Sequence, residues 1–251
     1  MKRWMPVMLL AAIACGNARV RWEEPRAVPG DTVGAIALAG DTLIYRRDST
    51  THKPADPRMC PGSLRSAADR ITEFHAWLRL RPDSTVVVMA SRWDGATGTT
   101  PAIVDSLDVD KVGCSRPAPS IALSDDGSVH VAYSIKAPEG YGVFFGHSMN
   151  RAIDFHDPMI VVYGDRLSAT SVAASGARVA IAYEDPSGSV RRIDVALSNT
   201  QGHTFGPREH ASPDEMTANR PRVAIRDTVI ALSFAGSDTT QRAVRVGYLR
   251  K

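Results

Sequence analysis

The chain has no apolar run long enough to cross a bilayer as a helix, no block of like charge, and only three cysteines. A spanning helix needs about 20 apolar residues, and the longest candidate, Trp4 to Ala14, falls short of that. The sequence therefore does not describe an integral helical membrane protein. Lys and Arg number 30 against 27 Asp and Glu and are scattered, whereas nucleic-acid binding calls for a concentrated basic face. Nucleic acid is not an expected partner. No Cys-x-x-Cys pair occurs, and His52, His75, His130, His147, His156, His203 and His210 show no short metal-binding spacing, so neither a metal nor a cofactor is expected. Helical periodicity is missing too, apart from a short turn around Ser63 to Arg70. What is present, 43% hydrophobic and 23% charged residues, suits a soluble globular chain with a real core.

The first fifteen residues, MKRWMPVMLLAAIAC, join a basic start to a short apolar run and small residues before Cys15, the pattern of an export signal. AIAC resembles the lipobox of bacterial lipoproteins, which implies a lipid on Cys15, membrane contact through that anchor alone, and a place in the bacterial envelope facing the periplasm or the outer surface. Ala12 stands where a lipobox usually has Leu, and a plain cleaved signal is the alternative. In an oxidising compartment the two remaining cysteines, Cys60 and Cys114, can form a disulfide; two separate buried thiols are the other reading.

Four segments align on their apolar positions: LRLRPDSTVVVMA from Leu78, IALSDDGSVHVAY from Ile121, VAASGARVAIAY from Val172 and VAIRDTVIALSF from Val223. Each reads as a strand, a turn rich in Asp, Gly or Ser, and a second strand of period two (Val86, Val88, Ala90; Val129, Val131, Tyr133; Val179, Ile181, Tyr183; Ile230, Leu232, Phe234) with one preferred core face. A third strand follows: Val143, Phe145 and His147 match Ile193, Val195 and Leu197, and then Val244, Val246 and Tyr248. Another short strand, Pro158 to Gly164 in one unit, completes a cycle of about 50 residues, the pattern of a β-propeller blade.

Between the third and fourth strands lies a recurring turn. SNTQGHTF, Ser198 to Phe205, resembles the Asp-box Ser-x-Asp-x-Gly-x-Thr-Phe/Trp of the sialidase-like propellers: Ser198, Gly202, Thr204 and Phe205 fit, and Thr200 replaces the Asp. In SMNRAIDF, Ser148 and Phe155 survive and Asn150 stands in for the Asp, while Ser106-x-Asp108 reads as a worn third copy and not as a calcium loop. The turn is structural: polar side chains satisfy its amides, Gly permits a positive φ and the aromatic packs into the blade.

The resemblance covers roughly residues 70 to 251 and extends over a further hairpin at Val33 to Arg46. It implies an all-β propeller of about five four-stranded blades, closed by an N-terminal strand drawn from RVRWEEP or the segment near Val33, with an incomplete six-bladed ring as the alternative. The domain plan is a signal over 1–15, a tether or closing strand over 16–32 and the propeller over 33–251.

In such a propeller the ligand-binding loops gather at one channel end, where they would bring Arg116, Tyr141, Glu184, Asp185, Arg220 and Asp238, groups suited to an acidic or hydroxyl-rich glycan. Sialidase chemistry, as the resemblance implies it, needs an arginine triad, a Tyr/Glu nucleophile pair and an Asp acid/base. The Arg-Ile-Pro motif that supplies the first arginine is missing, no catalytic residue carries over, and Tyr183-Glu184 falls on a recurring blade aromatic. The expectation is a monomeric, non-catalytic envelope module recognising a glycan or an envelope protein; an exo-sialidase-type hydrolase with a divergent site is the alternative.

Overall fold

The computed structural model describes residues 19–29, 35–39, 42–46, 52–95, 97–236 and 241–250; Cys15, Asp238 and the segment 1–15 lie outside them. The chain runs through β1 (Val20–Trp22) and β2 (Arg26–Pro29) into the hairpin β3 (Ala35–Ala39) and β4 (Thr42–Arg46). Next come β5 (Arg65–Ala68), β6 (Glu73–Leu80), β7 (Val86–Trp93) and β8 (Ala102–Asp105), then β9 (Ser120–Leu123), β10 (Val129–Ala137), β11 (Gly140–Ser148) and β12 (Met159–Gly164). A third such group is β13 (Thr170–Ser175), β14 (Arg178–Glu184), β15 (Ile193–Ser198) and β16 (Glu209–His210). The last is β17 (Asn219–Arg226), β18 (Val229–Ala235) and β19 (Gln241–Leu249).

These strands form five antiparallel sheets among the described residues, each a meander in chain order. The exception is at the end of the chain, where the outer strand beside β19 comes from the N-terminal segment: β1 pairs Val20 with Leu249, and β2 pairs Arg26 with Val244. The sheets pack face to face in a propeller-like sequence. Val86, Val88 and Ala90 of the β5–β8 sheet share an apolar layer with Val129, Val131 and Tyr133 of the β9–β12 sheet. Ala132, Val143 and Phe145 on the opposite face of that second sheet meet Val179, Ile181 and Tyr183, and the remaining sheets continue through Ile193, Val195, Leu232 and Phe234 to Ile36.

This layering corrects the expectation of one core face per hairpin. Val87, Met89, Ala132, Ala180, Ala182 and Ala231, the residues between the alternating apolar positions, are buried as well. Neighbouring sheets cover Ala132, Ala180, Ala182 and Ala231, so these small residues mark a close sheet-to-sheet approach instead of a wet surface, while Val87 and Met89 are covered by Met59 and Leu64 of the loop before β5.

Two further expectations change. The hairpin from Leu78 to Ala90 forms the second and third strands of its sheet, whereas the segments aligned with it form the first and second. A tight Asp/Ser turn between alternating strands looks the same at either place. In consequence Ser106 and Asp108 lie in the crossover from β8 to β9, not in a turn between third and fourth strands. The innermost strand of that sheet is β5, within the stretch 63–70 that suggested a helical turn, because Arg65 to Ala68 pair in register with Ala76 to Glu73. Pairing overrides the weak local preference of so short a stretch.

Cys60 and Cys114 are joined by a disulfide across a sequence separation of 54, with Cα atoms 5.3 Å apart. The bond pins the Pro-rich loop 52–64 against the β5–β8 sheet, where Asp56 accepts hydrogen bonds from Trp77 Nε1 at 2.8 Å and Arg79 Nε at 2.7 Å.

Candidate functional site

The innermost strands β3, β5, β9, β13 and β17 surround a central cavity of about 770 Å³. Its wall is mostly alanine, serine, threonine and short aliphatic side chains, because a larger residue on an inner strand would fill the channel. Against that wall stand four arginines, Arg65, Arg220, Arg222 and Arg242, and no Asp, Glu, Tyr or His is among the described lining residues. Arg65, Arg220 and Arg222 sit at the starts of their inner strands. Ser120 and Thr170, which begin β9 and β13, approach to 3.4 Å, and Ser171 Oγ accepts from Val223 N at 3.0 Å, so neighbouring inner strands start at the same end of the channel. Arg242 is fixed there by its Nε bond to Ser233 Oγ at 2.8 Å and its Nη2 bond to the Arg220 carbonyl at 2.7 Å.

Of the residues expected at the channel end, Arg220 lines the cavity. Arg116 does not: its guanidinium is buried against Asp108 at 2.9 Å and also donates to the carbonyls of Gly113 and Asp110. Tyr141 donates to Asp110 Oδ2 at 3.2 Å, and its ring carries Lys136 Nζ 5.0 Å from the centroid. Glu184 accepts from Arg220 N at 3.0 Å, and Asp185 accepts from Ser187 N and pairs with Arg208 at 3.3 Å. These four groups serve the crossover segments, whose turning backbone and buried charges need internal partners. Asp238 lies outside the described residues. Tyr183 is fully buried; burial and the nearby Asp194 push its phenol well above the usual range, which leaves it an unsuitable nucleophile.

The two Asp-box-like turns match bond for bond. Ser148 Oγ accepts from Ala152 N at 2.9 Å and Ser198 Oγ from Gly202 N at 3.0 Å. At the Asp position, Asn150 Oδ1 accepts from Asp154 N at 3.2 Å, and Thr200 Oγ1 from Thr204 N at 3.0 Å. Either side chain performs the amide-capping role of the missing carboxylate. Gly202 has φ +89°, and a Cβ there would stand 2.4 Å from Phe145 Cε1 in the adjacent sheet. Gly202→Ala should therefore cost roughly 2 to 3 kcal/mol, from the left-handed backbone and the overlap together. Urea unfolding would check it; an unchanged midpoint would contradict this packing. Phe205 is half-buried and meets Phe145 edge-on at 5.1 Å.

These turns bring together three histidines that sequence spacing does not connect. His147 and His156 flank the first turn, tied by the His156 N to His147 carbonyl bond at 3.0 Å, and His203 lies in the second. One ligand atom from each lies within 4.8 Å of the others. His147 is buried, whereas His156 and His203 are exposed. Burial, reinforced by the neighbouring imidazoles, lowers His147 to about 4, so its ring is neutral at pH 7.

No protein-family model and no curated protein matches the sequence. Among solved structures the chain is similar to a protein of unknown function from Dyadobacter fermentans DSM 18053, with 16% identity, 71% of this chain and 50% of that one covered, and a TM-score of 0.49. It is also similar to the Hadza microbial sialidase Hz136 (13% identity, 71% and 44% covered, TM-score 0.48). A third is the subtype N11 neuraminidase-like protein of A/flat-faced bat/Peru/033/2010 (H18N11), at 11% identity, 85% and 69% covered, and a TM-score of 0.46. The chain spans half or less of the length of the first two. None of these similarities bears on activity.

Proposed function

We propose that the chain is an exported sialidase-like β-propeller of five blades that binds an anionic, hydroxyl-rich glycan at the bacterial envelope without cleaving it. The observation that carries this reading is Arg220, exposed on the channel wall, in a lining whose described residues include no carboxylate, tyrosine or histidine. Guanidinium groups give charge-assisted, bidentate bonds to a sugar carboxylate, while glycoside cleavage needs a positioned acid and a nucleophile or base. Arginines at the starts of inner strands are held on rigid elements, which favours binding. Five sheets in sequence, with the N-terminal segment as the outer strand beside β19, support five blades. The disulfide supports an oxidising compartment. Residues 1–15 would be the signal with Cys15 lipidated, 16–32 the tether and closing strand, and 33–251 the propeller.

The test uses the chain from Gly16 onward in two assays. Calorimetric titration with sialyllactose should show binding that lactose does not match, weakened roughly 10- to 100-fold by Arg220→Ala, the range expected for a lost charge-assisted hydrogen bond. A fluorogenic sialoside should not be turned over. Turnover that disappears in Glu184→Gln would replace this reading with the divergent exo-sialidase.

A further inference from the structure

We propose that His147, His156 and His203 form a binding site for one divalent first-row transition ion, Zn2+ being the one best matched, which clips two adjacent sheets together at their Asp-box turns. Three imidazoles are a donor set suited to Zn2+, with a tetrahedral fourth position left to water. The ligand atoms lie within 4.8 Å of one another. Around a tetrahedral ion with Zn–N bonds of roughly 2.0–2.1 Å they would stand about 3.3 Å apart. Binding then requires the two exposed rings, His156 and His203, to turn inward on the buried His147.

Two observations point to a ligand and not to ring packing alone. His147 occupies the place that Leu197 holds in the next sheet, a buried apolar slot on the third strand. A histidine there brings a polar atom into the layer, and its Nε2 is buried with no hydrogen-bond partner among the described residues. An unpaired buried polar atom is costly, and metal coordination is one way to satisfy it. The second observation is the rigidity of the approach. His203 follows Gly202, which is seated against Phe145, and Phe205 meets the same ring, so the second turn is fixed relative to the strand that carries His147. His203 then stands edge-on to His147, ring centroids 4.6 Å apart, and His156 lies 4.4 Å from His147 and 5.7 Å from His203.

The site is separate from the arginine-lined channel. It sits where third strands end, two strands out from the cavity and at the other end of the sheets from Arg220 and Arg222, because β9 and β11 run the same way and the arginines mark the starts of inner strands. Its fate is therefore independent of the glycan reading.

The experiment titrates Zn2+ into the full chain without a histidine tag by calorimetry, with Co2+ visible absorption as a second probe of tetrahedral coordination. Wild type should bind one equivalent and show a higher Tm with Zn2+. His203→Ala and His156→Ala, both at exposed positions, should keep the metal-free Tm, weaken Zn2+ at least ~10-fold and lose the Zn2+-dependent rise in Tm. Absence of one-equivalent binding in wild type would overturn the proposal. So would weak uptake of several equivalents that neither substitution changes, since that is adventitious binding to scattered histidines.

Discussion

Replacing Asp108 with Ala should destabilise the chain by about 3 to 5 kcal/mol, the cost of leaving a buried charge without its partner. The Asp108 and Arg116 side chains are 1% and 0% exposed and 2.9 Å apart. Asp108 also accepts from Val86 N at 2.8 Å and from Lys136 N at 3.3 Å, so one carboxylate ties β7 to β10 of the next sheet. Its removal strands the guanidinium and two amides together. Urea denaturation of Asp108→Ala against wild type measures this, and a loss under about 1 kcal/mol would mean that water reaches Arg116 as it does a surface pair. The same geometry bears on the role of Arg116: its substitution should act on stability and leave sialyllactose affinity unchanged in protein that is still folded.

The second large effect is expected from the disulfide. Converting both Cys60 and Cys114 to Ser should cost about 4 kcal/mol, because a bond across 54 residues removes loop entropy from the unfolded chain. Thermal melts with and without reductant on wild type, beside the double variant, check it; reduced wild type and the variant should melt together. Cys114 lies two residues before Arg116, and the Gly113 carbonyl accepts from Arg116 Nε. Combining the disulfide variant with Asp108→Ala should therefore give less than the sum of the two losses.

The hairpins were legible because alternation survives in each: Val129, Val131 and Tyr133 do lie on one face of β10. The frame of the first repeat was not, since the Arg81–Thr85 turn has the same chemistry whether it joins strands one and two or two and three. Nothing local announces that Ala132 and Ala182 are covered too; that follows from neighbouring sheets supplied by residues 40 or more positions away. Attention to the loops found Arg220 and passed over Arg65, Arg222 and Arg242, which begin strands. A basic residue at the head of an inner strand was the available signal for Arg65 and Arg222, whereas Arg242 heads β19, the third strand of its sheet. The histidine cluster left half a trace: His147 in the slot of Leu197 was visible in the repeat, but the approach of His203 needs the lateral contact between Gly202 and Phe145.

The pairing of β1 with β19 also orders events in time. Val20 is among the first described residues to be synthesised and its partner Leu249 among the last, so the outer strand of that sheet waits for almost the whole chain. Until β1 docks, β19 presents a bare edge, the kind of surface that invites pairing with another molecule. Joining residues so distant in sequence is slow even when the product is stable. Refolding should therefore end in a late closing step, and aggregation should compete most strongly just before it.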